Sequence, residues 1–215
     1  MEMAMGRYAR ISKCTLRTLI TLLWAYSLSS CNLFNLVSYK KVSCDFDYSI
    51  RDEEKSLDLT KYQLEKIYEN DSCSVIVLTM GEGEHTKYMY MRKSGIRKIM
   101  RYSSTNNIRY AFFQYSEADI GPRYYFDEYG NIKDSINTDV GYTICWAQAW
   151  AIGKSYAKHK MHKTEPKLIL TKEDEEIIRW YFFYTNKKEE RQRITIDGQT
   201  GQILEERRVV VICSN

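Results

Sequence analysis

From residue 73 onward the chain is cut into short runs of β-branched, aromatic and aliphatic residues, each of strand length and each closed by turn formers. Residues 73–80, 87–92, 108–115, 123–126 and 132–136 read in this way, and so do 167–170, 177–184, 191–196 and 202–212. Two of the intervening turns, Asp127-Glu128-Tyr129-Gly130-Asn131 and Asp197-Gly198-Gln199-Thr200-Gly201, place glycine where a tight hairpin needs positive φ. Such spacing leaves room for antiparallel hairpins and little for long helices. Aromatic content of 13%, led by 18 tyrosines, points the same way. Two prolines and ten glycines exclude a collagen-like or Pro/Gly-rich disordered chain, and 44% hydrophobic residues suffice for a core. The length of 215 residues suits one moderate domain or two small ones.

Two stretches carry helical spacing. In residues 57–70 it falls on Leu59, Tyr62, Leu64, Ile67 and Tyr68, with Asn70-Asp71 as the stop. In residues 143–157 it falls on Ala147, Trp150, Ala151 and Lys154, and Lys158, His159 and Lys160 then complement the helix dipole. Residues 95–102 are ambiguous, because Ile96, Ile99 and Met100 also fit a helix. The expected fold is therefore α+β, with antiparallel β-meanders each packed on a helix. The order helix, strand, strand, strand in the N-terminal half predicts a second copy of the C-terminal plan, although no shared motif supports a duplication.

The first forty residues are different. Arg7, Arg10, Lys13 and Arg17 stand against the single acid Glu2, and thirteen uncharged residues follow from Thr18 to Ser30. A basic start before a short apolar run is the signature of a secretory signal. The run ends in Leu28-Ser29-Ser30-Cys31, which resembles the lipobox of bacterial lipoproteins: an apolar residue, two small ones, then the cysteine that is acylated. The resemblance implies lipidation at Cys31 and a membrane anchor through the N-terminal lipid, each buried methylene contributing roughly 0.8 kcal/mol. The alternative is an uncleaved spanning helix, since the uncharged window reaches Tyr39 and 22 residues. Eight of those 22 are Thr, Ser or Asn, which argues against it. The segment after Cys31 lacks acidic residues, and this favours the periplasmic face of the outer membrane. Cleavage takes four bases from 32 and one acid from 28, so the net charge falls from +4 to +1.

Beyond Cys14 and Cys31, four cysteines remain: Cys44, Cys73, Cys145 and Cys213. In an oxidising compartment they permit two disulfides in any of three pairings, and buried free thiols are the alternative. No Cys-x-x-Cys occurs, so neither a zinc ribbon nor a thioredoxin-type pair is supported.

The stretch from about residue 138 to 208 resembles the PepSY domain family. The matching residues are Ala147-Gln148-Ala149-Trp150-Ala151-Ile152-Gly153, the aromatic run Trp180-Tyr181-Phe182-Phe183-Tyr184, and Arg193-Ile194-Thr195-Ile196-Asp197-Gly198-Gln199-Thr200-Gly201-Gln202-Ile203-Leu204. The last resembles the family's closing hairpin with Asp-x-x-Thr-Gly. It implies a small, non-catalytic, extracytoplasmic module, of a kind similar to peptidase-inhibitory propeptide pieces, and it supplies no site residue.

Charge is arranged in blocks. Residues 45–71 hold nine acids against four bases, a net −5. Residues 72–116 hold Lys87, Arg92, Lys93, Arg97, Lys98, Arg101 and Arg109 against Glu82 and Glu84, a net +5. Interleaved with Tyr88, Tyr90, Tyr102 and Tyr110, these bases predict a face for an anionic lipid or acidic glycan, centred on Arg92, Lys93, Arg97 and Lys98. The alternative is that the two blocks simply face each other or water. Nucleic acid fits the chemistry but not the compartment.

Catalytic signatures are thin. Ser155-Tyr156-Ala157-Lys158 has Ser-x-x-Lys spacing without accompanying Ser-Asp-Asn or Lys-Thr-Gly. His159 and His162 lack a third metal ligand and sit among lysines; Glu173-Asp174-Glu175-Glu176 lacks the alternation that wraps calcium. With only His85 besides, no Ser-His-Asp set assembles, and Trp146, Trp150 and Trp180 read as core. No metal or cofactor is expected. The reading is a signal at 1–30, a tether or irregular lead-in at 31–58, an N-terminal α+β region at 59–137 and the PepSY-like part at 138–215. Its expected role is non-catalytic binding or regulation in the cell envelope, with a protein partner such as a peptidase as a further option. The rivals are an envelope hydrolase with a site built from scattered residues and a structural or assembly lipoprotein.

Overall fold

A computed structural model of the chain describes residues 39–162, 169–172 and 177–209. Contacts divide the chain into Met1–Lys41 and Val42–Asn215, and the architecture below belongs to the second unit. Seven strands pair antiparallel in chain order: β1 (Tyr68–Glu69), β2 (Cys73–Thr79), β3 (His85–Met91), β4 (Ile96–Tyr102), β5 (Ile108–Tyr115), β6 (Ala118–Phe126) and β7 (Ile132–Asn137). The helix α1 (Trp146–Ala157) follows. A four-stranded antiparallel meander completes the fold: β8 (Ile169–Thr171), β9 (Arg179–Thr185), β10 (Arg191–Asp197) and β11 (Ile203–Arg208).

Side chains alternate across a strand, so each sheet has two chemically distinct faces. On the second sheet one face is apolar: Trp180, Phe182 and Tyr184 of β9 oppose Ile196, Ile194 and Gln192 of β10. Helix α1 covers this face with Ala149, Ile152 and Gly153. A Cβ built on Gly153 would lie 2.3 Å from the Phe182 ring, so only glycine lets the helix settle this close. At the far end Glu206 ties β11 to the helix, accepting hydrogen bonds from Tyr156 Oη at 2.9 Å, Lys160 Nζ at 2.7 Å and the Tyr184 hydroxyl.

The first sheet is covered differently. Residues 42–51 run extended over it, with Val42, Cys44, Phe46, Tyr48 and Ile50 turned inward and the residues between them exposed. Phe46 and Tyr48 meet Phe113 edge-on at 5.9 and 5.0 Å between ring centroids. Gly121, at φ +62°, makes room: a Cβ there would come within 2.5 Å of the Tyr48 ring. Beyond a short 3-10 turn at Asp52–Glu54, Leu57 enters a core of Val77, Met100, Tyr102, Ile108, Ala111 and Phe126. Each fully buried aliphatic of this kind contributes roughly 1.5–3 kcal/mol.

A segment outside any ladder must still satisfy its backbone polar groups. Two sheet side chains do so: Lys98 Nζ donates to Ser49 O at 2.9 Å, and Tyr102 Oη to Glu54 O at 2.9 Å. Lys98 Nζ also pairs with Glu54 Oε2 at 2.5 Å, both side chains nearly buried. A disulfide joins Cys44 of this strap to Cys145, the residue preceding α1, across 101 residues of sequence. The sheets meet where Glu117 N donates to Leu170 O at 3.1 Å and Tyr115 packs on Trp146 at 4.3 Å.

The expectation of an α+β fold in which each meander packs on its own helix is overturned. The chain is mostly antiparallel β-sheet in two sheets, and the one short α-helix among the described residues serves only the second. The helix expected at 59–69 is absent because its apolar positions do not share one buried face. Leu57 is in the core, but Leu64 and Ile67 are 44% and 61% exposed. Local bonds take over instead: Asp58 accepts from Thr60 N, Glu65 takes φ +61° and donates its N–H to Val77 O, and Tyr68–Glu69 pairs with β2. The ambiguous segment at 95–102 is the central strand β4. Residues 42–58, expected as a tether or an irregular lead-in, run as an irregular segment that covers the sheet.

Candidate functional site

The second face of the seven-stranded sheet combines aromatic rings with arginines. Register sets three rows across the strands. One runs Leu78, Thr86, Arg101, Tyr110, Tyr125; the next Ile76, Tyr88, Ile99, Phe112; the third Ser74, Tyr90, Arg97, Gln114, Asp119. An aromatic and aliphatic middle row is thus flanked by an arginine on either side. Tyr90 is 45% exposed and Arg101 is exposed, while Tyr88, Tyr110, Phe112 and Tyr125 are half-buried. Tyr110 packs on Phe112 at 5.1 Å and on Tyr125 at 5.2 Å, and burial raises its phenol pKa.

The two arginines differ in availability. Arg97 is committed: its Nη2 donates to Gln114 Oε1 at 2.9 Å and Ser116 O at 2.8 Å. Gln114 Nε2 then donates to Asp119 at 2.8 Å, and Asp119 pairs with Arg123. Arg101 and Arg109 form no ion pair among the described residues. Together with Tyr110, Tyr125 and Glu84 they line a shallow depression of about 420 Å³. Two unspent guanidinium forks beside a pair of tyrosine rings suit an anionic group carried on a ring or a planar body.

The structure does not bring together the four residues expected to bind a polyanion. Lys98 lies on the opposite face, buried in its ion pair with Glu54, and burial lowers its pKa; it is removed from the site. The physical reason is the alternation of a strand: Arg97 and Arg101 share one face, and Lys98 between them must take the other. Arg92 and Lys93 sit in the β3–β4 turn, where Arg92 pairs with Glu69 at 3.1 Å. Tyr102 also borders the depression, but its side chain is fully buried and its hydroxyl reaches Glu54 O on the covered face. Phe112 and Tyr125 were not expected, although the alternations Arg97-x-Ile99-x-Arg101 and Tyr110-x-Phe112-x-Gln114 announce that face.

The remaining candidates fall elsewhere. Cys44 and Cys145 form the disulfide, Cys73 is a free, half-buried thiol, and Cys31 and Cys213 lie outside the described residues. So does Glu173-Asp174-Glu175-Glu176. Trp180 is core, its Nε1 donating to Ile144 O at 2.9 Å, and Trp150 packs on Phe182. Among the described residues no three His, Cys, Asp or Glu side chains group as a metal site, and no helix is long and apolar enough to cross a membrane. Comparison with family models, with curated proteins and with solved structures finds nothing that matches the chain.

Proposed function

We propose that this chain is a lipid-anchored protein of the bacterial cell envelope that works by binding rather than catalysis. The open face of its seven-stranded sheet takes an anionic, ring-bearing ligand such as an acidic glycan or a lipid headgroup. The observation that carries the reading is the placement of Arg101 and Arg109 beside the packed rings of Tyr110 and Tyr125. A broad, open surface of this kind favours recognition over bond-making, and the face holds no histidine or cysteine among the described residues. The anchor rests on the leader and on Leu28-Ser29-Ser30-Cys31, and the periplasmic face of the outer membrane on the neutral segment that follows. The helix and four strands at the C-terminus are read as a PepSY-like module beside the binding sheet.

Two experiments test this. Cys31→Ser abolishes acyl labelling and leaves the precursor unprocessed; unchanged labelling sinks the anchor. Charge reversal at Arg101 and Arg109 together lowers binding to vesicles of anionic phospholipid, or to a soluble acidic polysaccharide, by at least tenfold. The two arms tell headgroup from glycan, and equal binding by the variant in both removes the face from the account.

A further inference from the structure

Between the strap and the covered face of the first sheet lies a separate cavity of about 870 Å³, of a size that accepts a drug-sized molecule. Its walls include Phe46, Val75, Met89 and Met91, and the free thiol Cys73 lies at its edge of β2. Lys87 also lines it, 6% exposed, on the same sheet face as Lys98 and on the neighbouring strand. These two buried lysines are treated differently by the fold. Lys98 has a carboxylate and a carbonyl as partners. Lys87 has only Tyr62: its Nζ lies 3.4 Å from the hydroxyl and 4.4 Å from the ring centroid.

An ammonium carries three donors, and removing it from water is costly unless a hydrogen-bonded counter-charge replaces the solvent. The carboxylates around the cavity are engaged elsewhere. Glu54 serves Lys98, Glu69 serves Arg92, Asp58 accepts from Thr60, and Asp47 accepts from Ser49 N. Glu53 is exposed beside Arg51. Lys87 is thus a buried cation on the sheet side of a cavity of mixed lining, beside Val75, Met89 and Met91, with no acid paired to it among the described residues.

We infer that this cavity binds a small organic carboxylate with an apolar chain, Lys87 supplying the counter-charge and the two methionines the walls. The site is distinct from the open face, and its existence does not depend on that reading. Methionine walls suit a flexible alkyl body, since the thioether side chain adapts its shape to what it packs against.

Decanoate, decylamine and acetate titrated into the protein separate head from tail. Decanoate binds saturably at one per chain, while decylamine and acetate bind at least tenfold more weakly. Lys87→Met loses at least tenfold in decanoate affinity, Lys87→Arg retains it, and the Arg101, Arg109 charge reversal leaves it unchanged. Because Lys87→Met alters a buried position, a measurement on the unaltered chain stands beside it. Bound decanoate slows alkylation of Cys73 by a maleimide, read at that cysteine's peptide. Equal binding of decanoate and decylamine, full affinity in a folded Lys87→Met protein, or no protection of Cys73 overturns the assignment and leaves Lys87 served by water alone.

Discussion

The two sheets of this molecule solve the same problem with different covers. The four-stranded sheet lays a helix on its apolar face, and the contact is made by apolar side chains: Ala149, Ile152 and Gly153 against Trp180, Phe182 and Ile194. Helix backbone satisfies itself, so the sheet beneath needs to offer only shape. The seven-stranded sheet is covered by an extended strap that has no ladder partner. Its carbonyls must be satisfied from below, and Lys98 and Tyr102 do this from within the sheet. A glycine facing an aromatic ring sets each contact, Gly153 under Phe182 and Gly121 under Tyr48. The irregular cover thus brings the buried pair Lys98–Glu54 with it, and a cavity between strap and sheet.

If that contrast is sound, the strap fails hardest when its covalent tie is cut. Replacing Cys44 and Cys145 by serine frees a loop of 101 residues and is expected to cost roughly 4–5 kcal/mol. Urea unfolding measures the loss, and hydrogen exchange should rise first in residues 43–51. Next comes the buried pair. Lys98→Met leaves the buried Glu54 without its counter-charge, only the Arg51 N–H still donating to it, and costs about 3–5 kcal/mol, whereas adding Glu54→Leu recovers most of it. Failure of the double variant to recover would mean that the strap carbonyls, not the charge, carry the Lys98 contribution.

The glycines sharpen the comparison further. Gly121→Ala meets both a positive φ and the Tyr48 ring, and is expected to destabilise by about 2–3 kcal/mol. Gly153→Ala also meets a ring, but the helix propensity gained offsets part of the clash, so about 1–2 kcal/mol is expected. The reverse order in thermal melts would break the claim that the strap is the tighter-fitted cover.

The smallest effect is with pH. Thr200 and Gln199 N–H groups hold the Asp197 carboxyl below its ordinary range. Burial raises Glu206, but its bonds from Lys160, Tyr184 and Tyr156 outweigh this and leave it lowered. A depressed folded pKa gives stability that is fully present above the unfolded value, near 4, and lost as pH falls through the folded one. Both groups belong to the second sheet, so Asp197→Asn should flatten the decline in urea midpoint between pH 5 and about 3. An unchanged decline would move that dependence to other carboxylates.

Much of this was legible in the sequence because the hairpins are punctuated locally. Asp127 and Asp197 accept the N–H groups of their own turns, so the turns declare themselves over five residues. Helix α1 declared itself by spacing and composition. The stretch at 57–70 did not, because its apolar residues serve three ends: Leu57 the core, Tyr62 the cation of Lys87, and Tyr68 the edge of the sheet. The strap was legible but misread: Val42, Cys44, Phe46, Tyr48 and Ile50 alternate without a break with Ser43, Asp45, Asp47, Ser49 and Arg51, and the charge of the outward set obscures that period. On the open face, counting charge picked out the basic segment but not how its residues divide between the two faces of the sheet. Only the alternation of β4 separates Arg97 and Arg101 from Lys98, and only long-range pairing adds Tyr125.

Backbone amide shifts followed while a soluble acidic oligosaccharide is added test the binding face directly. The account predicts that Arg101, Arg109, Tyr110 and Tyr125 move together and saturate, with residues 43–51 of the strap unmoved. Shifts confined to the strap or to the second sheet, or none at all, would contradict it.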